Sequence, residues 1–212
     1  MTGTTVVVGA AQGIGEAIAR RLARESWTQR LVIADLREDA VQALAAELRA
    51  DGHVVDAYPV DVTDDASIAA LVARSREAER VAVAAGIFMA TSSLEVTRAD
   101  FERVLSVNLL GNFFVAQAYA GEMVPRGSGA IVAVASIASR LPRMRQAAYV
   151  ASKAALDAWT RVVSSELYDR DVTFTTIHMP LVRTPMIAPT KLYDRFPAIS
   201  PAQAAEMVLV GG

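Results

Sequence analysis

Tyr149 and Lys153 stand four residues apart in Tyr149-Val150-Ala151-Ser152-Lys153, thirteen residues after Ser136. On a helix, a four-residue step puts the phenol and the ammonium on one face. A phenol ordinarily loses its proton near pH ~10, and a nearby fixed cation favours the phenolate. Such a pair could exchange a proton with an alcohol or a carbonyl near neutral pH. An amphipathic helix carrying a chance Tyr and Lys would look the same, so the rest of the chain has to discriminate.

Other chemistries find little support. The 212 residues include no cysteine, which excludes disulfides, thiolate metal sites and a cysteine nucleophile, and fits a cytoplasmic protein. The two histidines, His53 and His178, lack a metal-ligand spacing, so no metal site is expected. A net charge of −2 without a charged tail gives no electrostatic case for nucleic acid. Met1 to Thr5 lacks the basic region of a signal peptide, and no apolar run approaches the ~20 residues that span a bilayer.

The elements that must position the trio alternate along the chain. Strands are expected at Thr5–Val8, Leu31–Ala34, Val54–Tyr58, Val81–Ala84, Ala130–Val134 and Phe174–His178. Helical patterns separate them at Ile14–Glu25, Glu38–Ala50, Ala66–Ser75, Arg98–Met123 and Ala147–Tyr168. This alternation implies an α/β fold with right-handed βαβ units and a doubly wound parallel sheet. No linker or internal repeat divides residues 1–212, so a single domain is expected. The Pro-rich stretch Pro180–Pro201 reads as an ordered excursion over a binding site.

Val6-Val7-Val8 runs into Gly9-Ala10-Ala11-Gln12-Gly13-Ile14-Gly15, and a helix follows. Glycines let the backbone approach a pyrophosphate, and the helix N-terminus offers free N–H groups. Asp35 ends the second strand, twenty residues after Gly15. A carboxylate there is placed for the adenosine ribose hydroxyls and would repel a 2′-phosphate, which favours NAD over NADP. Arg37, two residues on, argues the other way. Asp61 and Val62 follow the third strand and are placed to meet the adenine. A plain helix cap would explain Asp61 equally, with Thr63 and Asp64 as rival caps.

Gly9-x-x-x-Gly13-x-Gly15, Asp61, Asn108, Ser136 and Tyr149-x-x-x-Lys153 together resemble the short-chain dehydrogenases/reductases, over nearly the whole length from Thr5 to about Thr184. The resemblance implies a Rossmann-like, three-layer α/β/α domain with a sheet of six or seven strands. It implies a nicotinamide cofactor and hydride exchange with a secondary alcohol or carbonyl. Tyr149 would be the general acid/base and Lys153 would hold the nicotinamide ribose and lower the tyrosine pKa. Ser136 would orient the substrate oxygen, and Asn108 would help hold a water beside Lys153. Cofactor-binding roles would fall to Gly9, Gln12, Gly13, Ile14, Gly15, Asp35, Leu36, Asp61, Val62, Ala85, Gly86, Pro180, Val182 and Thr184, alongside Tyr149 and Lys153.

The chain departs from that pattern in three places. Strand four ends Val83-Ala84-Ala85-Gly86 where the family has Asn-Asn-Ala-Gly, so side chains that tie the central sheet together are missing. Pro180-Leu181-Val182-Arg183-Thr184 is one residue shorter than the family turn and lacks its glycine. After Pro201 only one short helical pattern remains, which leaves a seventh strand lost, remodelled or truncated.

Arg140, Arg143 and Arg145 border the expected substrate pocket and could clamp a carboxylate. A solvated basic loop would read the same. The Ser-x-x-x-Arg-x-Pro-Arg pattern, like Ala84-Ala85-Gly86-Ile87, resembles the 2,3-dihydro-2,3-dihydroxybenzoate dehydrogenases, which implies a cyclic diol carboxylate. Met179 to Lys191 resembles bacterial fatty acyl-CoA reductases instead, which implies a fatty acyl or 3-ketoacyl thioester. A non-catalytic nucleotide-binding protein is the reading from another class. Apolar positions Phe113, Phe114, Leu156, Trp159 and Val163 suggest helix pairing in a homodimer or homotetramer.

Overall fold

The structure, a computed structural model, describes residues 3–141 and 144–211. Six parallel strands form one sheet in the order β3-β2-β1-β4-β5-β6. They are β1 (Thr4–Val8), β2 (Arg30–Asp35), β3 (Val55–Pro59), β4 (Arg80–Val83), β5 (Gly129–Ser136) and β6 (Val172–Met179). Their valine-rich runs alternate sides, so both faces must be covered. Val7, Leu31, Ile33 and Val134 face one layer, made by α1 (Gly13–Leu22), α2 (Glu38–Ala50) and α7 (Pro201–Gly211). Val6, Val8, Val32 and Ile131 face the other. That layer holds α3 (Asp65–Ala73), α4 (Arg98–Leu105), α5 (Asn112–Met123) and α6 (Ala147–Glu166). This is the expected doubly wound, three-layer architecture, with six strands among the described residues.

The local reasons are visible in the helices. In α2, Val41, Leu44, Ala45 and Leu48 recur at helical spacing and are all buried. Helix α3 starts where the Asp64 carboxylate accepts the Ala66 N–H at 3.0 Å. Helix α6 is amphipathic in a less usual way, because Lys153, Asp157 and Thr160 are buried with Leu156.

The helix expected over Arg98–Met123 is not uniform. A π-helical turn, Ser106–Gly111, joins α4 to α5 and carries Asn108. Wide turns of this kind recur at functional sites. Gly111 is required there, since a Cβ would lie 2.6 Å from Val62 Cγ2 and 2.9 Å from the Val62 carbonyl. The continuous helical run Arg98–Arg126 has 29 residues, and an 18-residue window within it has a mean hydropathy of 1.2, so it is long and apolar enough to cross a membrane by those measures alone. That departs from the expectation of no such stretch. In this fold Val115, Tyr119 and Met123 are buried against the sheet, and the Tyr119 hydroxyl is 2.7 Å from Ser75 Oγ.

Strand order reverses between β1 and β4, because β1 pairs with both β2 and β4. In open parallel sheets that switch point opens a crevice beyond the C-terminal ends of the strands.

Candidate active site

The crevice is a cleft of about 370 Å³. Every strand contributes its C-terminal end or the residues just beyond: Gly9, Asp35, Asp61, Ala85, Ser136 and Pro180 all line it. The expected cofactor residues Gln12, Gly13, Ile14, Gly15, Leu36, Val62, Gly86, Val182 and Thr184 line it too, with Tyr149 and Lys153.

At one end the glycine loop packs against neighbouring backbone. A Cβ on Gly9 would lie 2.5 Å from the Ala85 nitrogen, and one on Gly15 would lie 1.9 Å from the Gly9 carbonyl. The loop is tied back by Asp35, whose Oδ2 accepts the Ala11 N–H at 3.1 Å. Gln12 puts no capping side chain over the first turn of α1. Its leading N–H groups therefore suit an anion at this helix end. Thr184 crosses nearby, with Cγ2 3.2 Å from where a Gly13 Cβ would be. Glycine backbone, open helix end and carboxylate together fit a dinucleotide.

Asp35 Oδ1 also accepts the Arg37 N–H at 3.1 Å and lies 3.8 Å from Arg37 Nε. Asp61 is not the cap of α3, a role that Asp64 takes. Its Oδ1 instead accepts the Thr63 hydroxyl and N–H, which hold its carboxyl below the usual carboxylate range.

At the other end, Ser136 and Tyr149 both line the cleft. Ser136 Oγ accepts the Ala138 N–H at 3.1 Å, which fixes the hydroxyl at the end of β5. Lys153 is buried and its Nζ donates to the Val134 carbonyl at 3.0 Å. Burial pulls the Lys153 ammonium down to about 8. Burial also pushes the Tyr149 phenol above its ordinary value; the Ser136 hydroxyl opposes this and Tyr193 adds to it. Lys153 is not among the causes of that shift; desolvation leads, and the ammonium donates to a backbone carbonyl.

Asn108 is fully buried beside this group. Its Oδ1 accepts the Ile87 N–H at 2.7 Å, and its Nδ2 donates to the Ile87 carbonyl and to Ser152 Oγ. The Asn108 side chain thereby brackets the segment just beyond β4 to α6. Asn112, which the sequence reading missed, ties down the same region. Its Nδ2 donates to the carbonyls of Ala85, Val107 and Asn108 at 3.0–3.1 Å. It supplies a link to the end of strand four that the missing asparagines would have made.

Two of the three arginines expected to form a clamp, Arg140 and Arg145, stay out of the cleft. Arg140 does not line the cleft; its Nη2 lies 3.6 Å from the buried Asp157, which also pairs with Arg161 and His178. Arg145 is exposed, has a left-handed backbone (φ 64°) and does not line the cleft either. Arg143 lies outside the described residues. No group of three or more His, Asp or Glu among the described residues could hold a metal.

An apolar wall stands where the clamp was expected. Ile87, Phe88, Leu141, Met186, Ile187 and Tyr193 line it. Phe88 lies edge-on to Tyr149 at 5.2 Å and to Tyr193 at 5.9 Å. The excursion after Pro180 is ordered, as expected: Val182 bridges to Ile199, and a 3₁₀ turn, Lys191–Arg195, carries Tyr193 inward.

This arrangement of glycine loop, strand-end carboxylate and Ser-Tyr-Lys group agrees with what relatives show. The short chain dehydrogenase family model matches residues 3–193, and the chain belongs to the short-chain dehydrogenase/reductase family. A fatty acyl-CoA reductase of Acinetobacter baylyi is 33% identical over 96% of this chain and 70% of its own length. A 2,3-dihydro-2,3-dihydroxybenzoate dehydrogenase of Bacillus subtilis is 34% identical over 78% of this chain and 64% of its own. The chain spans 62% of a 33% identical Mycobacterium tuberculosis oxidoreductase. Among solved structures, a short-chain dehydrogenase from Sphingobium yanoikuyae in complex with NADPH superposes with a TM-score of 0.89 at 27% identity, covering 98% of this chain and 83% of that one. An actinorhodin polyketide ketoreductase with NADPH gives 0.88 at 28%, covering 98% and 88%. The protein is therefore an oxidoreductase of a family that binds nicotinamide cofactors.

Proposed function

We propose that the chain exchanges hydride between a nicotinamide cofactor and a secondary alcohol or carbonyl, with Tyr149 moving the proton. The meeting of Ser136, Tyr149 and buried Lys153 in one cleft carries this reading. A bound nicotinamide supplies or accepts the hydride. The other tasks fall to the chain. The glycine loop and the first turn of α1 would hold the pyrophosphate, and Lys153 the nicotinamide ribose. Ser136 orients the substrate oxygen. Tyr149, kept neutral by burial, donates its proton to a carbonyl oxygen as negative charge grows there.

Asp35 supports NAD as the preferred cofactor, because a carboxylate at this strand end repels a 2′-phosphate. Arg37 and the NADPH of the two solved relatives weigh the other way. Fluorescence titration with NADH and NADPH tests the choice, and tighter NADPH binding overturns it. A substrate screen with the better cofactor follows; an absence of hydride exchange with any alcohol or carbonyl rejects the catalytic reading.

The apolar wall favours an uncharged or long aliphatic substrate over a carboxylate. A second reading, reduction of a fatty acyl or 3-ketoacyl thioester, rests on that wall and on the name of the Acinetobacter relative. Acyl thioesters assayed against cyclic diols separate the two, and turnover of the diols alone removes it. Leu110, Phe114 and Val162, all exposed on the outer helix layer, support a homodimer through α5 and α6. A monomer by sedimentation at micromolar concentration would remove that too.

A further inference from the structure

Gln146 and Tyr193 meet on the wall of the cleft, and the proton transfer uses neither. Gln146 stands just before α6, three residues ahead of Tyr149. Side chains at that spacing on a helix begin ~5–6 Å apart. Gln146 is only 5% exposed, although its amide caps nothing. Its Nε2 donates to the Tyr193 hydroxyl oxygen, and its buried Oε1 has no partner among the described residues.

Tyr193 is held firmly in this position. Its ring packs on Phe88, and it is 6% exposed. Behind it, the Arg183 guanidinium donates to the carbonyls of Tyr193 at 2.8 Å and Phe196 at 2.7 Å.

A glutamine amide offers two N–H donors and two acceptor lone pairs, and a phenol adds one donor. With their mutual bond made, the pair keeps an acceptor at Oε1 and a donor at the Tyr193 O–H. Turning the amide over exchanges these for free N–H donors and still leaves the pair unfilled. Buried polar atoms are normally satisfied, so a group in the cleft is their natural partner. That partner is uncharged. Among the described residues, the ionisable ones lining the cleft are Asp35, Arg37 and Asp61 at the nucleotide end, then Lys153 and the two tyrosines.

We infer that Gln146 and Tyr193 form a second polar anchor for the substrate. The compound taken carries, on an otherwise apolar skeleton, an uncharged hydroxyl or oxo group about two or three bonds from the reacting carbon. This rests on the hydride-transfer reading above.

The test uses matched alcohols that differ by one hydroxyl: 1,2-cyclohexanediol against cyclohexanol, and 2,4-octanediol against 2-octanol. The full chain should favour the diol of at least one pair in kcat/KM. Tyr193→Phe keeps the ring and removes the hydroxyl, and should lower that preference about 3- to 10-fold. Gln146→Met should do the same, and the double variant should lose little more than either single one. Equal losses on both members of a pair, or no preference in the unmodified chain, would overturn the anchor alone. Cofactor binding without hydride exchange on any of the four alcohols would overturn the hydride-transfer reading beneath it.

Discussion

The Lys153 ammonium donates to the Val134 carbonyl at 3.0 Å, so the main cation at the reacting end of the cleft is anchored to the floor of the sheet. Its pKa, drawn down to about 8 by burial, has a consequence for stability. The unfolded chain keeps the lysine protonated to its ordinary value of 10.5, whereas the folded chain releases that proton near 8. Between those values the unfolded state binds more protons, so stability rises with pH. The rise from this group is on the order of 3 kcal/mol. Tyr119 and Tyr149 act oppositely, because burial raises both above the ordinary phenol. Their contribution is full below pH ~10 and is lost as pH climbs through their folded values. Chemical denaturation across pH 7 to 11 should therefore show a gain above 8 that reverses beyond about 10. Lys153→Met should flatten the gain. A gain of the same size in that variant would contradict the assignment.

The raised Tyr149 phenol gives the two reaction directions different pH optima. Carbonyl reduction needs the protonated form and should proceed at neutral pH. Alcohol oxidation needs the phenolate and should climb into the alkaline range. Tyr149→Phe should cost about 10²- to 10⁴-fold in kcat for either direction, with cofactor binding retained. Steady-state rates in both directions at several pH values check this.

Asn112→Leu removes the donor from three carbonyls at once. The expected loss is about 1–3 kcal/mol, read by denaturation. Because two of those carbonyls flank the cleft floor, KM for the cofactor should rise as well. An unchanged KM would make Asn112 a purely structural link.

Asp35→Ser removes the charge that faces a 2′-phosphate while leaving a hydroxyl. The NADH/NADPH affinity ratio should fall, with Arg37 freed to pair with the phosphate. Fluorescence titration of both cofactors reads the shift, and a constant ratio would show that Asp35 does not select.

Much of this was legible in the sequence because it rests on short-range pattern. The apolar spacing in Glu38–Ala50 gave that helix to the residue, and the valine runs gave six strands in order. The glycine loop and Tyr149-x-x-x-Lys153 are local motifs, and the fold brings them to one cleft. What escaped depends on partners far along the chain. Arg140 turns to Asp157, seventeen residues on, so its charge leaves the pocket it borders. Gln146 and Tyr193 meet across 47 residues, and no periodicity announces a single hydrogen bond. The direction of the Tyr149 shift follows from burial, which a Tyr-Lys spacing does not encode. Asn112 gave one faint signal, an amide inside an apolar helix.

The π-helical turn at Ser106–Gly111 gives the floor of the cleft a dependence on chain length. It holds one residue more than a regular turn would. Removing a residue there would leave a plausible helix with nearly unchanged composition. That deletion returns the turn to α geometry and leaves the helix beyond in phase, because the extra residue is absorbed within the wide turn. Its cost falls on Asn108, whose amide would lose its place against Ile87 and Ser152 while α5 keeps its seat on the sheet. A one-residue change further along α5 has no such buffer and would turn everything beyond it by about 100°.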